Sequence, residues 1–288
     1  WSNCNGVNNA GDLIGPYHFG KMCGKVPAWT KPSTRALRQV YVSAGSVMGG
    51  VKDNCIVWGS GIMTRDARFS RPAEVTAVRG PLTRQRFLEL GYPCPAVYGD
   101  PGILMPLFVP AVVNPSQQPV TIVPHYVDFP DVQRACREWT DVKVIDVTRP
   151  IDAVCSEISA ASCVLSSSLH GLILAHAYGV PALRVRFSDR LSGDGTKFED
   201  YFASTDSPGR GECCSIDMAT MTKESVFSLA REASVAGTTH LRLDLIATCP
   251  FLCEETMRAR LVALHGELCK DHTLGTHHSD IHTTAPIR

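Results

Sequence analysis

Residues 166–179 have the composition of an anion-binding helix start. They read SSSLHGLILAHAYG and follow an apolar run at residues 162–165. A strand, a polar turn and a helix that begins near His170 leave free backbone N–H groups at the positive end of the helix dipole. Such an end binds anions, and a histidine placed there can also move a proton. We interpret His176, later in the same helix, as a packing residue.

Three further polar loops lie at predicted strand ends or helix starts. Arg79 stands before Gly-Pro, and an arginine beside a helix N-terminus suits bidentate recognition of phosphate or carboxylate, although a surface arginine is the simpler alternative. Asp100 stands before Pro-Gly and either caps a helix or acts as a base toward a sugar hydroxyl. Asp12 follows Asn-Ala-Gly and likewise either caps a helix or binds a substrate hydroxyl.

Apolar strands alternate with helical patterns along most of the chain. In the first half, strands are predicted at residues 40–42, 55–58 and 74–78, with a helix at 81–90. In the second half, strands are predicted at 120–124, 142–147, 162–165 and 181–187, and helices at 131–139, 151–160 and 170–178. This alternation is typical of parallel sheets that helices cover on both faces. His125 comes directly after the first strand of the second half.

A proline-rich stretch from Pro106 to Pro119 interrupts the alternation and is the best linker candidate. We therefore predict two Rossmann-like α/β domains, an acceptor-side domain at residues 1–112 and a donor-side domain at 113–288. The ligand site is expected in the cleft between them. Helices near 223–234, 240–248 and 254–270 form a predicted C-terminal extension, and the tail from about residue 271 is expected to be disordered.

Composition excludes several classes of protein. The 288 residues are 44% hydrophobic, which is enough for a sizeable core. Lys plus Arg and Asp plus Glu both total 28, so no bulk positive charge favours nucleic acid. No apolar run approaches the roughly 18 residues of a membrane span. The 12 cysteines contain no C-x-x-C pair, which argues against a zinc ribbon and favours reduced structural thiols. The chain begins at Trp1, so the sequence leaves open whether an N-terminal leader has been removed.

Six motifs occur in the order of a known enzyme family. They are NAGD at 9–12, VWGSG at 57–61, VRGP at 78–81, YGDPG at 98–102, VPH at 123–125 and the segment 166–179. In these motifs the sequence resembles the polysaccharide pyruvyl transferase family over about residues 5–201. The resemblance is greatest to the xanthan-type ketal pyruvate transferases of bacterial exopolysaccharides.

The resemblance implies a fold, a reaction and a location. The fold would be GT-B-like, with two Rossmann-like domains. Phosphoenolpyruvate would be the donor, and a terminal sugar of an exopolysaccharide or lipid-linked oligosaccharide would be the acceptor. Pyruvate would bridge two sugar hydroxyls as a cyclic ketal, with release of phosphate. This chemistry requires no metal and no further cofactor. The implied location is cytoplasmic, with peripheral contact at the inner membrane face.

The resemblance also assigns site residues. The family positions implicated in donor binding correspond to Arg79, Leu169 and His170. Because phosphoenolpyruvate carries about three negative charges, we add Ser167, Ser168 and Lys197 to the donor site. We take His170 as the acid, and Asp100 or His125 as the base. The predicted acceptor contacts are Asn9, Asp12, Trp58 and Ser60.

Two other functions share parts of this pattern. A GT-B sugar-nucleotide glycosyltransferase would have the same architecture, but no nucleotide contacts can be located in the sequence. A non-catalytic glycan-binding protein belongs to a different class. The full set of charged residues (Arg79, His125, His170 and Lys197) argues against it, because a decayed site would lose some of them.

Overall fold

Two parallel sheets form the framework of the protein. The computed structural model describes residues 9–30, 38–112, 119–252 and 254–276. The first sheet has the order β1-β2-β3, with β1 at Val40–Val42, β2 at Cys55–Trp58 and β3 at Glu74–Ala77. The second has the order β5-β4-β6-β7-β8, and its strands are β4 Val120–Val123, β5 Val142–Val144, β6 Cys163–Ser166, β7 Ala182–Arg186 and β8 Cys214–Ser215. All pairings between these strands are parallel.

Helices connect and cover the strands. They are α1 Ala10–Cys23, α2 Pro81–Glu89, α3 Phe129–Cys136, α4 Ile151–Ser159, α5 Leu169–Ala177, α6 Thr196–Phe202, α7 Lys223–Ala230, α8 Thr239–Ala247 and α9 Glu255–Thr276. A 3₁₀ helix at Pro101–Leu107 lies between the two sheets in the chain order. Every residue of β2, β4 and β6 is buried, as expected for parallel strands that are covered on both faces. No helix in the described part of the chain is both long and apolar enough to cross a bilayer.

The predicted α/β class with parallel sheets is confirmed, and two details need correction. The proline-rich stretch does not begin as a linker, because Pro106 and Leu107 are buried in the 3₁₀ helix, which packs on α5. The predicted start of disorder near residue 271 is too early, because α9 continues to Thr276. Residues 113–118 and 277–288 lie outside the described residues. The domain boundary at 112/113 and the GT-B-like arrangement stay predictions.

Helices α1 and α8 each pack on elements from the other half of the chain. Helix α1 contacts α4, and the Ala10 N–H donates to the Val147 carbonyl at 2.6 Å. Near the other end, the Leu245 carbonyl of α8 accepts a hydrogen bond from the Trp58 indole N–H in β2 at 3.0 Å. One hydrophobic cluster contains side chains of α1, of both sheets and of α8. Apolar packing therefore connects the two sheets.

His18 lies inside this packing. Its side chain is 0% exposed, and the ring centroid lies 5.2 Å from that of Phe108 and 6.4 Å from that of Trp58. In the described part of the chain, neither ring nitrogen has a hydrogen-bond partner. Burial lowers the pKa of His18 to about 3, although the nearby Asp100 charge opposes the shift. The folded protein therefore holds this imidazole neutral.

We predict that His18 makes the fold sensitive to acid. An unfolded histidine binds a proton near pH 6.5, whereas folded His18 does so only near pH 3. The contribution of His18 to the free energy of unfolding is therefore fully present above pH 6.5. It is lost as the pH falls, by up to about 1.4 kcal/mol per pH unit. The His18→Phe variant should show a shallower fall of Tm between about pH 6.5 and 4.5 than the wild type. The exposed His240→Gln variant is the control, and equal slopes for His18→Phe and the wild type would contradict the prediction.

Candidate functional site

Three consecutive serines build the turn between β6 and α5. The Ser166 hydroxyl lies 2.8 Å from the Val123 carbonyl and accepts a hydrogen bond from the Ser168 N–H at 3.1 Å. The Ser167 hydroxyl accepts the His125 N–H at 2.9 Å, so it connects the ends of β6 and β4. Ser168 is the N-cap residue of α5 but makes no capping hydrogen bond with its side chain. The serine hydroxyls thus hold the turn, and the first turn of α5 keeps backbone N–H groups without a side-chain cap.

His170 faces the carboxylate of Asp100. Its Nε2 lies 3.5 Å from Asp100 Oδ2, while Asp100 Oδ1 accepts the Gly102 N–H at 2.9 Å and caps the 3₁₀ helix. Burial by itself would raise the pKa of Asp100, but His170, the Gly102 N–H and the Arg79 charge together lower it below its usual value. Asp100 is thus an ionised carboxylate that caps a helix and faces a histidine. It is completely buried, and its catalytic role stays a prediction.

The first turn of α1 packs against the other side of the His170 ring. A Cβ atom at Gly11 would overlap this ring, so the close approach requires glycine. Asn9 caps α1, because its side-chain oxygen accepts the Asp12 N–H at 3.2 Å, and its amide also donates to Asp12 Oδ2 at 2.7 Å. Burial raises the pKa of Asp12, against the opposing effects of His170 and Asn9. The capping role that the sequence offered for Asp12 thus falls to Asn9, and Asp12 lies near His170.

Arg79 is completely buried in an ion pair. Its Nε donates to Asp200 Oδ2 at 2.9 Å, Nη1 donates to the Ser46 hydroxyl at 2.7 Å, and Nη2 donates to the Ile62 carbonyl at 2.7 Å. Asp200 is also completely buried and accepts both the N–H and the hydroxyl of Thr83, at 2.8 and 2.7 Å. The alternative of a surface arginine is therefore wrong. The donor-binding role of Arg79 stays a prediction, while its visible role is to join β3 and α2 to α6.

Lys197 and His125 form a second group of predicted residues. Lys197 is 9% exposed, and burial, followed by the charges of Arg79 and Arg184, lowers its pKa to about 8. Burial, followed by the Lys197 charge, lowers the pKa of His125 to about 4, so this imidazole is neutral at pH 7. Leu169 is buried in the main hydrophobic cluster, so its backbone N–H is the group that can face a ligand.

Two of the predicted acceptor residues are buried in the structure, so their contact with a sugar stays a prediction. Trp58 is 0% exposed and packs against Phe251, with ring centroids 5.2 Å apart. Ser60 is also completely buried, and its hydroxyl donates to the Gly45 carbonyl at 2.9 Å. For Trp58 the physical reason is that β2 is covered on both faces, which leaves no face of the strand for a ligand.

A pocket of about 340 Å³ opens beside the ends of β6 and β7. Ser167, Arg184 and Lys197 contribute to its lining, which comes entirely from residues 167–213. The predicted position in an interdomain cleft therefore stays a prediction.

Sequence reasoning missed Arg184 and the Arg79 partner Asp200. Asp200 lies in the segment KFEDY at residues 197–201, inside the region of resemblance, but had no assigned role. In the described residues, no group of three or more His, Cys, Asp or Glu side chains is placed to hold a metal ion.

Comparisons with known proteins agree with the sequence motifs. Residues 50–188 match the family model described as polysaccharide pyruvyl transferase. This segment contains Arg79, Asp100, His125 and His170. An uncharacterised protein of Acanthamoeba polyphaga mimivirus is 29% identical over 203 residues, which cover 68% of this chain and 70% of that relative. No solved structure matches the chain.

The Asp200→Asn substitution tests the structural role of the Arg79 ion pair. It leaves the Arg79 guanidinium buried without its counter-charge, so the free energy of unfolding should fall by about 3–5 kcal/mol. Urea-induced unfolding measures this change. The control is Arg65→Gln, which removes the exposed Arg65–Glu199 pair and should cost less than about 1 kcal/mol. Equal losses in the two variants would show that the buried pair has no special structural role.

Proposed function

Because residues 50–188 match the family model of the polysaccharide pyruvyl transferases, we propose that the protein transfers a pyruvyl group from phosphoenolpyruvate to a polysaccharide sugar. The acceptor is a terminal sugar of an exopolysaccharide or of a lipid-linked oligosaccharide. Two of its hydroxyls become bridged by pyruvate as a cyclic ketal, and inorganic phosphate leaves. A lipid-linked acceptor would bring the protein to the membrane surface as a peripheral enzyme.

The observation that carries this proposal is the His170–Asp100 pair at the start of α5. The pair combines a proton-carrying ring with a buried carboxylate 3.5 Å away that can stabilise the ring's positive charge. The α5 N-terminus adds N–H groups that favour an anion. An anionic donor and a proton donor can therefore meet at one place, which is what the enol phosphate of phosphoenolpyruvate requires.

The reaction balances with one acid and one base. His170 protonates the methylene carbon C3 of the donor, and C2 becomes electrophilic. The oxygen of the first sugar hydroxyl bonds to C2 and gives its proton to the base. The bond between C2 and the phosphate oxygen then breaks, and its electron pair leaves with phosphate. The second hydroxyl closes the ketal, and its proton is taken up by the leaving phosphate.

His125 and Asp12 are the groups available as the base. Asp100 is enclosed between Gly102 and His170, so it supports the acid and does not contact the acceptor. His125 is half-buried and neutral at pH 7, so it can accept a proton. A bound donor with about three negative charges would raise the pKa of His125 and strengthen it as a base. Asp12 and Asn9 are also half-buried and are assigned to the acceptor sugar.

The proposed reaction predicts acceptor-dependent release of phosphate from phosphoenolpyruvate. The purified protein is incubated with the donor and a panel of glycans. Phosphate is then quantified, and proton NMR identifies the ketal methyl group on the sugar. The His170→Gln variant should lose at least about 100-fold in kcat, because the acid is absent. The exposed His240→Gln variant should keep the wild-type rate.

Two results would contradict this function. Full turnover by His170→Gln would exclude His170 as the acid. A thermal shift with nucleotide sugars, together with none with phosphoenolpyruvate, would favour the glycosyltransferase alternative instead.

The Gly11→Ala substitution tests the placement of the His170 ring. The added Cβ pushes the ring away from its position beside Asp100, so kcat should fall roughly tenfold or more. Tm should change little, because alanine favours helices and the ring can rotate. The control is Gly266→Ala in α9, where a Cβ meets no atom within 4 Å. An unchanged kcat in Gly11→Ala would show that this contact does not position the acid.

A further inference from the structure

The pocket beside β7 contains a buried ammonium group that has no counter-charge among the described residues. Lys197 lines the pocket and is only 9% exposed. Among the described residues, no carboxylate lies within 4.0 Å of its Nζ. Its Nζ lies 5.3 Å from the ring centroid of Phe198. A buried cation normally has an acidic partner, so this one is held ready for an anion from solution.

Arg184 supplies a second cation to the same pocket. Its guanidinium carbon lies 4.0 Å from the Phe198 ring centroid, and Nη1 donates to the Gly211 carbonyl at 2.8 Å. These contacts fix the plane of the guanidinium and leave its remaining N–H groups for a ligand. Arg184 therefore differs from Arg79, whose guanidinium is committed to Asp200.

Among the described residues, the acidic side chains of the pocket wall form no ion pair with these two cations. Asp194 accepts hydrogen bonds from the backbone N–H groups of Arg65 and Thr196, at 3.0 Å each. Asp189 is almost fully exposed and pairs with Arg186 at 3.2 Å. The pocket is therefore positively charged in its buried part.

The loop that carries these acidic residues is fastened at both ends. Arg190 donates to Asp128 at 2.9 Å and to Asp131 at 2.8 Å, which attaches the loop to α3 and the turn before it. The bond between Asp194 and the Arg65 N–H attaches it to the first half of the chain. The wall of the pocket is therefore formed before a ligand binds, which lowers the entropic cost of binding.

We propose that this pocket binds the phosphate group of the donor, with Lys197 and Arg184 as its cationic ligands. The assignment rests on the proposed function for the identity of the donor. Ser167 also lines the pocket, three positions before His170 in the chain, so phosphate bound here lies next to the turn that carries the proposed acid. The phosphate leaving group then departs as an anion that two cations already stabilise. Arg184 is thus a donor-binding residue that the family motifs do not include.

Binding of inorganic phosphate and of phosphoenolpyruvate, measured by calorimetry and thermal shift, tests the assignment. The Lys197→Gln and Arg184→Gln variants should each weaken binding by roughly ten- to hundredfold, because each removes a charge-assisted hydrogen bond. Arg137→Gln, at an exposed arginine outside the pocket, should bind like the wild type.

A second readout separates a ligand-binding lysine from a structural one. Without ligand, Lys197→Gln should have the same Tm as the wild type or a higher one, because it removes a buried cation without a partner. In excess phosphate, the wild type should gain Tm and the variant should gain little. A Tm loss without ligand, combined with unchanged phosphate binding, would overturn the proposal.

Activity assays distinguish the failure of this proposal from the failure of the reaction. Turnover of phosphoenolpyruvate with unchanged KM in both variants would overturn the pocket assignment and leave the reaction intact. Phosphate binding that depends on Lys197 and Arg184, in a protein that transfers no pyruvate to any glycan, would support the anion pocket and reject the reaction.

Discussion

The buried ion pair between Arg79 and Asp200 is the interaction on which the site depends. Neither group reaches water, so each is stable in the interior only because the other is present. The pair brings the end of β3 so close to α6 that a Cβ at Gly80 would overlap the Asp200 carbonyl. It thereby fixes α6, and Lys197 lies three positions before Asp200 on this helix, near the same face. Arg79 thus stabilises the structure through its pair with Asp200, whereas Lys197 on the same helix stays available to bind a ligand.

Much of the fold could be predicted because its strands are short apolar runs with clear ends. The predicted strands at 40–42 and 55–58 match β1 and β2, and the helix at 170–178 is displaced by one residue from α5. Long-range packing could not be predicted in this way. Nothing in the local pattern around Pro106 indicates that the 3₁₀ helix is covered by α5, because burial there comes from a segment more than 60 residues away.

The candidate site could be predicted in part, and its limits have a physical origin. The motif loops indicated His170, Asp100 and Asp12, which lie near one another although they come from α5, from the N-cap of the 3₁₀ helix and from the first turn of α1. The burial of Trp58 and Ser60 could not be predicted, because residue type alone does not distinguish a ligand contact from a core residue. For Arg79, sequence indicated a cation at a helix start but could not reveal the partner 121 residues later. Asp200 carries no local signal of that pairing.

The packing of α1 and α8 determines what happens if the chain is cut between the two sheets. A fragment that stopped before residue 113 would hold α1 without α4 and the Val147 carbonyl that it contacts. The complementary fragment would hold α8 without the Trp58 indole. Each piece would expose to water an apolar face that the other piece covers in the whole protein. Separating the two sheets would therefore destabilise both of them.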